Sequence, residues 1–185
     1  IFVEAAGVKP RGRITHGCLG IWSDAHGEAM KPLVSIMKQH GAVPGIQIAH
    51  AGRKASTQRP WNGLSALNED DIARGDVPWD VVGPSPLPAD EGWLLPKQLD
   101  EDEIAEIVKA FGQAARRSRE AGFEALEIHG AHGYLIQSFL SPLSNKRNDG
   151  YGGDLAGRMR LALEVTREVR SHWPEDKPLF FRISS

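Results

Sequence analysis

Phe123-Glu124-Ala125-Leu126-Glu127-Ile128 runs directly into His129-Gly130-Ala131-His132-Gly133-Tyr134. The first six residues alternate as a strand does, and the short apolar run over 135–140 predicts a helix immediately after. Two imidazoles and a phenol therefore leave the carboxyl end of a strand together. In parallel α/β proteins that end of the sheet is where chemistry is usually done. Two His can hold a ligand oxygen by hydrogen bonds and a Tyr O–H can deliver a proton, so the stretch asks for a carbonyl-bearing substrate.

Upstream, Asp100 predicts the cap of a helix through Ile104, Ile107, Val108, Phe111 and Ala115, stopped by Gly122. Before it lies a segment from His50 to about Leu99, rich in Pro, Gly and Trp and poor in periodicity, read as a long loop insertion. Residues 43–49 read as a strand. Ser23-Asp24 opens a helix carrying Met30, Leu33, Val34 and Met37 and ending at Gly41, and residues 1–6 read as another strand. Downstream, Asn145 to Gly153 is a polar loop. A helix from about Leu155 to His172 carries Leu161, Leu163, Val165 and Val169. Pro174 ends it, and Pro178 introduces a fourth strand. The order is β-loop-α, repeated, which implies a parallel sheet with right-handed crossovers. A doubly wound sheet and a (β/α)8 barrel both satisfy that order. No G-x-G-x-x-G follows any strand, and long loops at several carboxyl ends favour the barrel, of which four strands are half.

Hydrophobic residues make up 41% of the 185 residues, charged ones 25%, and the formal net charge is −2. That balance suggests neither a nucleic-acid nor an anionic-membrane footprint. No apolar run is long enough to span a bilayer and no signal peptide is recognisable. A single cysteine, Cys18, fits a reducing cytoplasm. The chain opens and closes inside apolar strand patterns, which reads as a piece of a longer protein.

Each candidate residue also has a plain structural reading. His129 and His132 are oxygen donors or merely loop residues; as a metal pair they lack a third ligand of obvious spacing. Tyr134 is a proton donor or a packing aromatic at a helix start. Gln47, inside Gly45-Ile46-Gln47-Ile48-Ala49, is a satisfied core amide or an amide that reads a planar heterocycle. Arg182, flanked by Phe181 and Ile183, is one half of a buried salt bridge or a positive charge beside a cofactor that becomes anionic on reduction. Trp61, Trp79 and Trp93 either line a pocket or pack the long segment.

Five stretches together resemble the Old Yellow Enzyme family of FMN-dependent oxidoreductases. They are Val3-Glu4-Ala5 with Gly12-Arg13-Ile14; Gln47-Ile48-Ala49-His50-Ala51-Gly52-Arg53-Lys54; Ile128-His129-Gly130-Ala131-His132-Gly133-Tyr134-Leu135; Arg147-Asn148-Asp149-Gly150-Tyr151-Gly152-Gly153; and Phe181-Arg182-Ile183-Ser184. The His-x-x-His form and Gly20-Ile21-Trp22-Ser23-Asp24 look like the thermophilic-like and xenobiotic-reductase branch. The resemblance implies a (β/α)8 TIM barrel holding FMN, of which this chain supplies about strands two to five as a partial domain over 1–185. It implies NAD(P)H as reductant, ping-pong reduction of activated C=C bonds in α,β-unsaturated carbonyl or nitro compounds, and a homo-oligomer.

By position, Tyr134 is implied as the proton donor, His129 and His132 as substrate-binding, and Ala5, Gln47 and Arg182 as cofactor-binding. Asp154 and Gly157 depart from the family's common Ser and Asn at a helix start. The same scaffold also serves dienoyl-CoA reductases and amine dehydrogenases, and a truncated, non-catalytic fragment is a third reading.

Overall fold

A computed structural model describes residues 1–184. In chain order its elements are β1 (Phe2–Gly7), α1 (Asp24–Gln39), β2 (Gly45–Ala49), α2 (Glu69–Ala73), β3 (Val82–Gly83), β4 (Lys97–Gln98), α3 (Glu101–Ala121), β5 (Ala125–Gly130), α4 (Leu135–Leu140), α5 (Leu155–His172) and β6 (Leu179–Ile183). β1, β2, β5 and β6 form one parallel sheet in that order. Every crossover moves the chain one strand in the same direction, whereas a doubly wound sheet reverses at a switch point.

The sheet also curls. β1 and β6 are its two edges, about 14 Å apart if three strand gaps lay flat. Yet the Phe2 and Phe180 rings meet edge to face with centroids 6.2 Å apart. Only a curved wall brings them together, with both rings on its concave side. Four successive, curled parallel strands with helices outside are half of a (β/α)8 barrel.

The helices form where caps and apolar stripes agree. Ser23 accepts from the His26 backbone N–H at the start of α1. Asp100 and Glu103 make a capping box for α3, and Gly122 ends it in the left-handed region. Asp154, one of the two departures from the family pattern, still caps α5 by accepting from the Gly157 N–H at 2.8 Å. Their inner stripes meet the convex face of the sheet: Met30 and Val34; Ile104, Ile107 and Phe111; Leu161, Val165 and Val169, against Ile46, Ile48, Leu126 and Ile128. Each fully buried Ile, Leu or Phe contributes about 1.5–3 kcal/mol. Leu163 and Leu33, counted above among the inward residues, are exposed. Leu163 lies two residues from both Leu161 and Val165, and that offset is half a helical turn.

The segment from 50 to 99 is less bare than its sequence suggests: α2, the β3–β4 pair and two short 3-10 turns lie within it. Its order comes from buried polar groups. Asp71, with no exposed surface, accepts from Gln58 Nε2 at 2.6 Å and from the Asn68 N–H at 2.9 Å, and pairs with Arg74. Arg147, beyond β5, is buried and donates to the carbonyls of Pro84 (3.1 Å) and Leu99 (2.6 Å) while its guanidinium pairs with Asp149 at 2.6 Å. Such anchors carry no period, so hydrophobic patterning cannot see them. Among the described residues no helix is long and apolar enough to cross a membrane.

Candidate functional site

The β5 ladder extends two residues further than alternation predicts, because β6 pairs His129 with Arg182 and Gly130 with Ile183. His129 is therefore a strand residue, 3% exposed, and not part of the following turn. Its Nδ1 accepts from the Ala131 backbone N–H at 3.2 Å. That bond requires a bare Nδ1, so in the neutral ring the proton sits on Nε2 and the ring offers a donor to the site. Burial, then the His132 ring and the Arg182 charge, hold the His129 pKa down at about 4. The ring is thus a neutral N–H donor at physiological pH.

His132 turns the chain at φ +58°, and Gly133 follows at φ +76°. Three partners hold this unusual turn. Lys54 Nζ donates to the His132 carbonyl at 3.0 Å, the His132 N–H donates to Ser184 Oγ at 3.1 Å, and the Gly133 N–H donates to Gln137 Oε1. Tyr134 then occupies the N-cap position of α4. The rings of His129 and His132 lie 5.0 Å apart, and those of His129 and Tyr134 4.8 Å apart. The sequence signal therefore did mark one cluster. Lys54, Ser184 and Gln137 were not singled out, since their roles depend on segments far apart in the chain or on one backbone turn.

Burial, and secondarily the Cys18 thiol, raise the Tyr134 hydroxyl above its ordinary value. Among the described residues that hydroxyl makes no hydrogen bond, so it is free for a ligand. A cavity of about 290 Å³ beside it is lined by Glu4, Ile14, Cys18, Trp61 and Leu64 among others. A second, of about 160 Å³, is lined by Ile14, Lys54, Thr57, Leu64 and Trp93, again with Tyr134. Larger clefts lie away from this chemistry, for instance between Lys9 and Arg117 on the outer layer. The tryptophans separate accordingly. Trp79 packs the loop, donating Nε1–H to the Arg11 carbonyl at 3.1 Å beneath the Arg13 guanidinium, while Trp61 and Trp93 line the cavities.

On the concave face Ala5 pairs with Gln47 across a bulge at Glu4, and Gln47 pairs with Glu127. The Gln47 amide donates Nε2–H to Glu127 Oε1. Its own carbonyl oxygen takes no partner among the described residues. Arg182, expected to be buried, is exposed, and no carboxylate among the described residues pairs with it. A free amide carbonyl, an unpaired guanidinium and a small residue on one concave wall suit a planar, hydrogen-bonding heterocycle that gains negative charge, which is what FMN presents. Among the described residues no three His, Cys, Asp or Glu come together to hold a metal ion.

His50, at the end of β2, is wholly buried with its pKa pushed down to about 3, first by burial and then by Arg11 and Lys9. Both it and His129 titrate below the ordinary 6.5. The unfolded chain therefore binds protons that the folded chain refuses. The stability this represents is complete above pH 6.5 and falls as pH drops toward 4 and then 3, by about 1.4 kcal/mol per pH unit for each histidine. Asp71 and Asp149 are held below ordinary carboxylate values by their hydrogen bonds, Asp71 first by the Asn68 backbone N–H and Asp149 first by the Arg147 side chain. Urea midpoints at pH 7.5, 5.5 and 4.5 should fall progressively, and His129→Asn should flatten the slope. A pH-independent midpoint would contradict the neutral burial of both rings.

Comparison with known proteins gives a consistent result. The sequence profile described as "NADH:flavin oxidoreductase / NADH oxidase family" matches residues 1–185. The NADPH dehydrogenase of Clostridium acetobutylicum is 45% identical over the whole chain, which covers 49% of that protein. The NADPH dehydrogenase of Bacillus subtilis is 44% identical, with 48% of it covered. The chain thus spans about half the length of these curated relatives. Among solved structures, morphinone reductase superposes with TM-score 0.83 at 28% identity, over 99% of this chain and 49% of that one. The old yellow enzyme homologue from Zymomonas mobilis gives 0.80 at 29%, with the same coverage.

Proposed function

The chain belongs to the NADH:flavin oxidoreductase / NADH oxidase family, and from that premise we propose that it forms part of the FMN-binding barrel domain of an NAD(P)H-dependent ene-reductase. The substrates are activated alkenes, in which a carbonyl or nitro group withdraws electrons from the C=C bond. The observation that carries the reading is the arrangement of His129, His132 and Tyr134: a neutral N–H donor fixed by the Ala131 bond, and an unengaged phenol whose ring centroid lies 4.8 Å from that donor's.

Gln47, Ala5 and Arg182 would hold FMN, Gln47 at the pyrimidine edge and Arg182 where negative charge gathers on reduction. When bound, FMN supplies acceptance of a hydride from NAD(P)H and its delivery to the alkene. The chain's own residues do the rest. His129 Nε2–H, with His132, donates to the carbonyl or nitro oxygen, drawing charge onto it and making the β carbon electrophilic. Tyr134 donates its hydroxyl proton to the α carbon. Trp61, Leu64 and Trp93 would give that carbon apolar walls. The segment from 50 to 99 contributes those walls and is the loop insertion of the domain. The free thiol of Cys18 agrees with a cytoplasmic location.

The test takes the whole protein that contains this chain, loaded with FMN under anaerobic conditions. NADPH should bleach the flavin absorption band, and 2-cyclohexen-1-one should restore it. A band that returns with oxygen but not with the enone would refute the ene-reductase reading and leave an NADPH oxidase.

A further inference from the structure

Gln47 and Glu127 face each other in register on neighbouring parallel strands, on the concave wall of the sheet. Their one contact is the bond from Gln47 Nε2 to Glu127 Oε1. A primary amide can present either end to a neighbour, and at the end of a flexible side chain nothing in the amide itself selects one. A carboxylate removes that freedom. It has only acceptors, so the amide must turn its N–H toward it; the reverse orientation would set the Gln47 carbonyl against the Glu127 oxygens, two acceptors facing each other. The consequence is felt on the other side of the amide. Its carbonyl oxygen points away from Glu127 as a committed acceptor, with the remaining N–H beside it.

We infer that Glu127 is a positioning residue that locks Gln47 into the orientation that reads a cyclic imide edge, with the carbonyl accepting from the ring N–H and the amide N–H donating to an adjacent ring carbonyl. A ligand with a bare or alkylated nitrogen at that point loses the acceptor's partner. Glu127 itself need not touch the ligand, and the device lies in the strand pairing, not in a loop. The inference rests on the FMN reading above, in which the imide edge belongs to the flavin's pyrimidine ring, whose N–H is at N3.

The experiment measures equilibrium binding of FMN and of 3-methyl-FMN to the intact apoprotein by flavin fluorescence, with no turnover involved. Gln47→Leu supplies the floor, since any residual preference there is steric. The wild-type preference for FMN should exceed that floor by about 10-fold, the range expected for one hydrogen bond lost in a partly buried site. Glu127→Met should bring the preference down to within about 3-fold of the floor, because the freed amide no longer commits its carbonyl. Glu127→Leu gives the same readout if Met at 127 impairs folding.

A variant that keeps the wild-type preference would overturn the positioning role. So would a wild-type preference no greater than that of Gln47→Leu, which would also remove Gln47 from the imide edge. The ene-reductase reading is tested separately, by NADPH-driven reduction of the enone in the wild-type protein, so failure here is distinguishable from failure of that reading. Absence of any FMN binding would overturn both.

Discussion

Tyr134→Phe should slow the alkene half-reaction by about 100-fold or more, the contribution of a positioned general acid, while the rate of flavin reduction by NADPH changes by no more than about 2-fold. The asymmetry follows from which step needs a proton. Accepting a hydride from NADPH asks nothing of the phenol. Completing an alkane asks for a proton at the α carbon, and Tyr134 carries the free hydroxyl at the cavity walls beside the His pair. The substitution keeps the ring, which packs against Ala51, Ala55 and Val81. It breaks no internal hydrogen bond, so stability should be nearly unchanged. Because burial and the neighbouring thiol raise the hydroxyl's pKa, the group stays protonated through the neutral range and the wild-type rate should show no loss of this acid near pH 8. Stopped-flow traces of the two half-reactions check the prediction. Equal losses in both would remove Tyr134 from the proton-donor role.

His129→Ala should be more severe for substrate activation, lowering kcat/KM for the enone by about 100- to 1,000-fold, as loss of one preorganised donor to a developing oxyanion does. Here the nicotinamide half-reaction should suffer as well if, as the proposed ping-pong cycle has it, NADPH and the enone take turns at the same donors. That contrast with Tyr134→Phe separates binding from protonation. His129→Asn retains an N–H donor on a shorter side chain and should recover part of the loss. A variant with unchanged KM and kcat would show that the donor built by the Ala131 bond points at nothing that reacts.

Legibility in the sequence was uneven, for identifiable reasons. The four sheet strands and the three long helices were readable from apolar patterning along their own lengths, two of the helices also from their own signals: Ser23 and Asp100 at the starts, Gly41 and Gly122 at the ends; the capping by Asp154 came only with the structure. Such signals are local and do not depend on the fold. The His-x-x-His-x-Tyr cluster was readable for the same reason, since three chemical groups lie within six residues. The want of a carboxylate partner for Arg182 among the described residues was not readable, because a charged residue between Phe181 and Ile183 looks like one half of an ion pair. The strand assignment of His129 likewise depends on β6, fifty residues away. The long segment from 50 to 99 defeated patterning because Asp71 and Arg147 order it through buried charge.

The sequence by itself determined the alternation of strands and helices, the placing of two imidazoles and a phenol at a strand's carboxyl end, and a family resemblance that the profile match bears out over residues 1–185. These depend on residue type and spacing within a few turns of chain. Only the tertiary structure decided that Nδ1 of His129 is an acceptor and Nε2 the donor, that Trp61 and Trp93 line the cavities beside Tyr134 while Trp79 packs the loop, and that Gln47 donates to Glu127. Each of those depends on the direction of a hydrogen bond or on the distance between segments far apart in the chain, and composition and periodicity carry neither.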